Sequence, residues 1–186
     1  MHKGRQILSP QHFNITLLRL AHQIIENYPS NEIIYIVGIQ EKGVILAERL
    51  IEIIKDKLKS PKIVFGKLDI TFYRDDFRIR EKPIVANSTQ IDFDVEGKKI
   101  LLVDDVLYSG RTIHAAMAAL QDLGRVGQIE LLTMVDRRFN RHLPIKSDYT
   151  GIQVDSLDEA YVKVQWKHLD GEDKVLIFSA NNKNKN

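Results

Sequence analysis

The stretch Ile100-Leu101-Leu102-Val103 is apolar without interruption and runs directly into two carboxylates, Asp104 and Asp105. A short apolar run of this kind reads as a strand buried on both faces, as strands of parallel sheets are. That reading points to an α/β architecture with helices on either side of the sheet. The strand is expected to end at Val103, which puts Asp104 and Asp105 where ligands bind in open α/β sheets. Val106-Leu107-Tyr108-Ser109-Gly110-Arg111-Thr112 follow, and then Ile113, Ala116, Met117 and Leu120 at helical spacing, closed by Gly124. The segment 108–112 offers backbone N–H groups, hydroxyls and a glycine at the start of a helix, which is a cradle for phosphate. Carboxylates beside such a cradle suit a ligand with both diol hydroxyls and phosphate, with or without a metal. The plainer alternative is a strand–turn–helix whose aspartates only cap the helix, since Asp and Ser are common in turns.

The same unit occurs earlier in the chain. Ser9 and Pro10 open a first helix, with Phe13, Leu17, Ala21, Ile24, Ile25 and Tyr28 at helical spacing, ended by Pro29-Ser30-Asn31. Arg19 and His22 lie three apart on its other face, where a solvated surface is the ordinary expectation. A second buried strand is predicted over residues 33–37. It delivers Gly38-Ile39-Gln40-Glu41-Lys42-Gly43 to a helix carrying Val44, Ala47, Leu50, Ile51, Ile54 and Leu58. Lys42 and the loop N–H groups can hold a second anion. Residues 62–72 have strand character, and the densely charged segment 73–90 reads as a long connection of the kind that forms lids, or else as a solvated hairpin. A further strand at 129–135 leads into a basic loop, 136–146. Residues 161–166 alternate as a strand, and Asp170-Gly171 turns toward a last strand, 174–178.

These motifs, in this order, resemble the type I phosphoribosyltransferases. The string from Val103 to Thr112 is similar to that family's signature for phosphoribosyl pyrophosphate (PRPP). The segment Leu68-Asp69-Ile70-Thr71-Phe72-Tyr73-Arg74-Asp75-Asp76 and the run Val135-Asp136-Arg137, then Leu143-Pro144-Ile145 and Ser147-Asp148-Tyr149-Thr150-Gly151, are similar to its PyrR branch. That branch comprises bifunctional uracil phosphoribosyltransferases and pyrimidine attenuation regulators. The resemblance covers about residues 7–179 and departs at Lys42, where an arginine is usual, at Arg138-Phe139-Asn140, and at His142, where an acidic residue is usual.

The resemblance implies a twisted, mainly parallel sheet flanked by helices, with a small hood and a mobile β-hairpin lid. It implies that Asp104 and Asp105 address the ribose and, through PRPP, Mg²⁺. Residues 103–112 would bind PRPP, with the turn on its 5′-phosphate. Gln40, Glu41, Lys42 and Arg74 would hold pyrophosphate, and Asp104, Asp105, Arg74 and Lys42 would be the catalytic set. Arg137 or Arg138 would stack on the base and Val162 would offer it backbone contacts. The implied ligands are PRPP, uracil and UMP. A second implied role is UMP-dependent binding of pyrimidine-operon leader RNA, through Arg19, His22, Arg141 and Lys146. Assembly as a dimer or higher oligomer is implied as well. A purine or other nucleobase is the alternative acceptor.

Composition narrows the setting. The chain has 186 residues, which suits one domain over 1–180 with a polar tail, 181–186. Formal net charge is +2, so any nucleic-acid surface has to be local. Cysteine is absent, which excludes disulfides and thiolate metal sites and fits a reducing compartment. With no apolar run of membrane-spanning length, a cytoplasmic protein is expected.

Overall fold

The computed structural model describes residues 4–29, 31–73, 88–139, 141–155 and 160–178. In chain order the elements are β1 (Arg5–Leu8), α1 (Pro10–Asn27), β2 (Ile34–Ile39), α2 (Lys42–Lys57), β3 (Ile63–Leu68), a 3₁₀ turn (Thr71–Tyr73), β4 (Lys99–Leu107), α3 (Arg111–Leu123), β5 (Gln128–Arg137), β6 (Tyr149–Val154), β7 (Tyr161–Gln165), α4 (Lys167–Asp170) and β8 (Lys174–Phe178). Five strands form one sheet in the order β3-β2-β4-β5-β6, with every neighbouring pair parallel. The chain's two ends meet in a separate antiparallel sheet, β1-β8-β7.

Side-chain alternation decides which helix covers which face. On β4, Leu101 and Val103 pack with Leu17, Leu20 and Ile24 of α1 and Leu46 and Leu50 of α2, whereas Ile100 and Leu102 pack with Ile113, Ala116 and Leu120 of α3. Burial of the strand on both faces is therefore as expected from its unbroken apolar run. The antiparallel sheet joins the α1 and α2 side through Val162, Val164, Trp166 and Val175. Trp166 meets the Phe13 ring edge-on at 5.3 Å, and the Arg49 guanidinium lies over both rings. Arg49 also donates to Asp173 at 2.7 Å and to Asn14 at 3.3 Å. This is the hood, and α2 anchors it.

Several boundaries differ from the sequence expectations for physical reasons. β3 stops at Leu68 rather than continuing to Phe72, because the Asp69 carboxylate accepts from Thr71 N at 2.8 Å and Thr71 Oγ1 at 2.5 Å and so turns the backbone. The base of the expected lid is paired, with Lys67 and Gln90 exchanging backbone hydrogen bonds at 2.8 Å. Residues 74–87, including Arg74, lie outside the described residues, as does the tail. The last hairpin forms, but α4 sits in its connection ahead of Gly171. β1 and β6 had not been anticipated as strands.

Near the amino ends of β4, β5 and β6, Glu130 collects three donors. Lys99 lies 2.9 Å away, Tyr28 Oη donates at 2.9 Å and Tyr149 Oη at 3.0 Å, tying the end of α1 to three strands. Burial alone would raise the Glu130 pKa. The bonds from Lys99 and the tyrosines outweigh it and hold the carboxyl below its ordinary 4.5, while burial and the Glu130 carboxylate push Tyr149 up to about 12. A depressed carboxylate pKa stabilises the fold fully above the unfolded value, and this contribution is lost as pH falls through the lower folded value. Glu130→Gln is therefore expected to cost about 1–2 kcal/mol in urea unfolding at pH 7. The difference from wild type should shrink as pH falls below 4.5. An undiminished difference at acid pH would contradict this account.

Candidate active site

β4 keeps β2 as a neighbour only as far as Gly38 opposite Val103, but stays paired with β5 to Leu107 opposite Asp136. Asp104 and Asp105 therefore do not follow the strand, as the sequence suggested. They lie on it, on a ledge whose β2 side has opened. The regular alternation also ends there, since Val106 packs with the α1 and α2 cluster and Leu107 with that of α3.

α2 fills the opening, and it begins earlier than the sequence suggested. Lys42 and Gly43 form its first turn, which leaves Gln40-Glu41, joined by a cis peptide, as the whole connection from β2. A Cβ on Gly43 would stand 2.3 Å from Val103 O and 3.1 Å from Asp104 Cα. The absence of a side chain is what lets the helix touch the ledge. Lys42 Nζ thereby reaches Asp105 Oδ2 at 3.4 Å and Val164 O of the hood at 3.4 Å. Burial pushes the Asp105 pKa above the ordinary carboxylate range, and Lys42 draws it partly back. Asp104 is buried, and its Oδ1 accepts from Asp105 N at 2.9 Å.

Beyond the ledge, Gly110 caps the start of α3 at φ 91°, a conformation that favours glycine. The turn is braced by the chain after β5. Ser109 O accepts from His142 N at 3.0 Å and from Leu143 N at 3.2 Å, and Arg141 donates to Tyr108 O and to the Asp136 carboxylate. Around this turn is a cavity of about 750 Å³ lined by Tyr73, residues 106–114, His142 and Leu143. A second cleft of about 400 Å³ is lined by Lys42, Asp105, Val106, Tyr108, Arg137, Ala160, Tyr161 and Val162. The two share Val106 and Tyr108, so they abut along the end of β4.

The structure thus gathers Lys42, Asp105, Val106, Tyr108, Arg137 and Val162 in one place, with residues 107–112 beside it. It separates the two candidate base-stacking arginines. Arg137 is the buried last residue of β5, not a loop residue, and its guanidinium lies 3.7 Å from the Tyr108 ring centroid. Arg138 is exposed and binds Asp155 through Nε at 2.6 Å and Nη2 at 2.5 Å. Gln40 Nε2 donates to Ser88 O at 3.3 Å, beside the segment expected to form a lid, and Glu41 is exposed.

Of the residues expected to bind RNA, Arg19 donates to the carbonyls of Thr150 and Gly151 on the edge strand β6, and Arg141 braces the turn before α3. His22 and Lys146 are exposed. Sequence reasoning missed Tyr161, His114 and the bracing role of Asp136. Among the described residues, no group of three or more His, Cys, Asp or Glu could hold a metal by itself. Two adjacent carboxylates next to a phosphate cradle do fit a hard cation that takes its other oxygens from the ligand. No helix among the described residues is long and apolar enough to cross a membrane.

Residues 4–169 match the model of the phosphoribosyl transferase domain. A "Bifunctional protein PyrR" from Elusimicrobium minutum is 44% identical over 173 residues, covering 92% of this chain and 95% of that one. Its namesake from Bacillus cereus is 40% identical over 181 residues, covering 96% and 99%. The chain is a phosphoribosyltransferase of the PyrR family. Solved structures extend the likeness of fold beyond PyrR. A hypoxanthine-guanine phosphoribosyltransferase from Bacillus anthracis superposes with a TM-score of 0.69 at 16% identity, covering 95% of this chain and 98% of that one. A hypoxanthine phosphoribosyltransferase from Trypanosoma cruzi gives 0.68 at 11% identity, covering 95% and 97%. The type I fold and the PyrR resemblance expected from the motifs are both borne out. In this PyrR-family chain, the residues expected from the motifs to bind ligands fall on the ledge of β4, the turn before α3 and the hood-side cleft.

Proposed function

We propose that this protein transfers the phosphoribosyl group of PRPP to uracil, forming UMP and pyrophosphate. The observation that carries the reading is the abutment of two chambers along the end of β4. One is built from a helix-start turn suited to phosphate, the other from Arg137, Tyr108 and the hood. The ligand implied has an anionic end and a planar end joined through a ribose. Its 5′-phosphate lies on residues 106–112, with the turn N–H groups and hydroxyls donating. Asp104 and Asp105 fix the ribose hydroxyls and favour positive charge on the ribose as the bond from its anomeric carbon to pyrophosphate breaks. Lys42, with Arg74 and the Gln40-Glu41 backbone, receives the negative charge building on the leaving group. The base lies against Arg137 and takes backbone hydrogen bonds from Val162. Its ring nitrogen bonds to the anomeric carbon and releases its proton. Mg²⁺ held by PRPP oxygens and the Asp104-Asp105 pair would supply further neutralisation of the pyrophosphate. Most of the rate then comes from positioning and fixed charge.

A panel of nucleobases, each with PRPP and Mg²⁺, tests the acceptor. UMP from uracil is the expected product, and turnover of hypoxanthine or guanine without uracil would overturn the assignment. The regulatory role rests on the resemblance to PyrR, as does assembly into a homo-oligomer. Arg141 is half-buried in its bonds to Tyr108 and Asp136, whereas Arg19, His22 and Lys146 are exposed, Arg19 with its guanidinium on the carbonyls of β6. Binding of pyrimidine-operon leader RNA that tightens with UMP and weakens steeply with salt would establish it.

A further inference from the structure

Two cationic-type side chains from separate elements meet at the phosphate chamber. Arg111 Nε, at the start of α3, donates to Nδ1 of His142, in the loop after β5, at 3.5 Å. Both line the chamber of about 750 Å³, as do His114 and Tyr73. His142 is not on a loose tip, because its backbone N–H is bonded to Ser109 O at 3.0 Å. The ring therefore moves with the turn that faces the ligand. Accepting from Arg111 assigns the ring proton to Nε2. A second proton, on Nδ1, would set two like charges side by side, which is unfavourable without an anion between them. A phosphate dianion between them reverses the sign.

We propose that His142 is a phosphate-binding residue which, with Arg111, holds the 5′-phosphate of phosphoribosyl ligands and takes up a proton as it does so. The inference rests on the assignment of residues 106–112 to that phosphate. Arg111 bonds the His142 ring and Ser109 O its backbone. The other titratable groups lining the same chamber are His114 of α3, Tyr108 of the turn and Tyr73 of the 3₁₀ turn, whose hydroxyl donates to Asp122 at 2.6 Å. Within its own loop, Arg141 is paired with Asp136. Histidine gains its proton between about pH 5 and 8. His142 is exposed, and its ring is bonded to the Arg111 cation, so an arriving phosphate is the charge that favours protonation.

The test uses the full chain and ribose 5-phosphate, with calorimetric titrations in buffers of different ionisation enthalpy. Wild type should take up protons on binding near pH 7.5, and His142→Gln should take up distinctly fewer. Because a phosphate monoester itself titrates near pH 6, the quantity to compare is the wild-type-to-variant affinity ratio at each pH. It should be about tenfold near pH 6.5 and fall toward one by pH 8.5. His142→Lys, with a permanent charge, should restore affinity without restoring proton uptake. A ratio that does not change with pH, or equal proton uptake in His142→Gln, would overturn the proposal. Normal ribose 5-phosphate binding without uracil turnover would sink only the acceptor assignment. If ribose 5-phosphate does not bind, the cradle assignment falls and the inference with it.

Discussion

Replacing Asp104 and Asp105 together by asparagine is expected to lower kcat/KM for PRPP by about 10³-fold or more, since both carboxylates act on charge that develops only as pyrophosphate departs. The fold should survive. The folded pKa of Asp105 is raised, chiefly by burial. A raised carboxylate pKa means that the ionised group opposes folding, and that stability falls as pH rises through the unfolded value toward the folded one. Removing that charge at neutral pH therefore relieves a cost. Lys42, left without its partner, is a third exposed and remains solvated. The urea midpoint of the double variant should match or exceed that of wild type. Its advantage should be present at pH 7 and vanish at acid pH, where the native Asp105 is neutral as well. Retained turnover would refute the role given to the ledge. Collapse of the fold would refute the energetic account.

Gly43→Ala is expected to be strongly damaging, as tight against backbone as a methyl at Gly151 but placed at the candidate site. Its Cβ would need to stand 2.3 Å from Val103 O and 3.1 Å from Asp104 Cα, both of them backbone atoms that cannot turn aside. Overpacking of this sort costs about 1–3 kcal/mol when side chains yield, and here α2 itself has to move. A displaced α2 carries Lys42 away from Asp105 and loosens the contact with Val164 O. A loss of at least about 2 kcal/mol in denaturant unfolding should accompany a drop of about 10²-fold in kcat/KM. Ala47→Gly, a cavity mutation deeper in the same helix, is the comparison. It should lower stability with little change in kcat/KM. Equal activity losses in the two variants would show that close approach at Gly43 has no special bearing on the site.

The parallel sheet was legible because residues 100–103 carry no polar atom on either side. The turn before α3 was legible because Ser109, Gly110 and Thr112 set hydroxyls and a glycine directly ahead of a helical apolar pattern. What escaped was set by distant partners. The strand through Asp104 and Asp105 continues because β5 pairs with it to Leu107, and no local propensity reveals that. Arg137 and Arg138 are neighbours of the same type in the sequence. Only the end of β5 and the presence of Asp155 send one inward and the other to the surface. Arg19 is at the surface as its helix face suggested, but its bonds to the β6 carbonyls, like those of Arg141 to Tyr108 O, are fixed by the tertiary fold. β1 escaped because Arg5–Leu8 is short and acquires its ladder from β8, at the far end of the chain.

The two chambers have only Val106 and Tyr108 in common. One is furnished by the turn before α3 and the loop after β5, the other by the hood and α2. The hood-side cleft also carries Lys42 and Asp105, so only its hood residues, 160–162, can diverge without touching groups proposed to act on PRPP. A lineage could exchange its acceptor by altering residues 160–162 while inheriting the donor half intact. A designer seeking a new acceptor has the same freedom, provided that those two shared side chains are left alone.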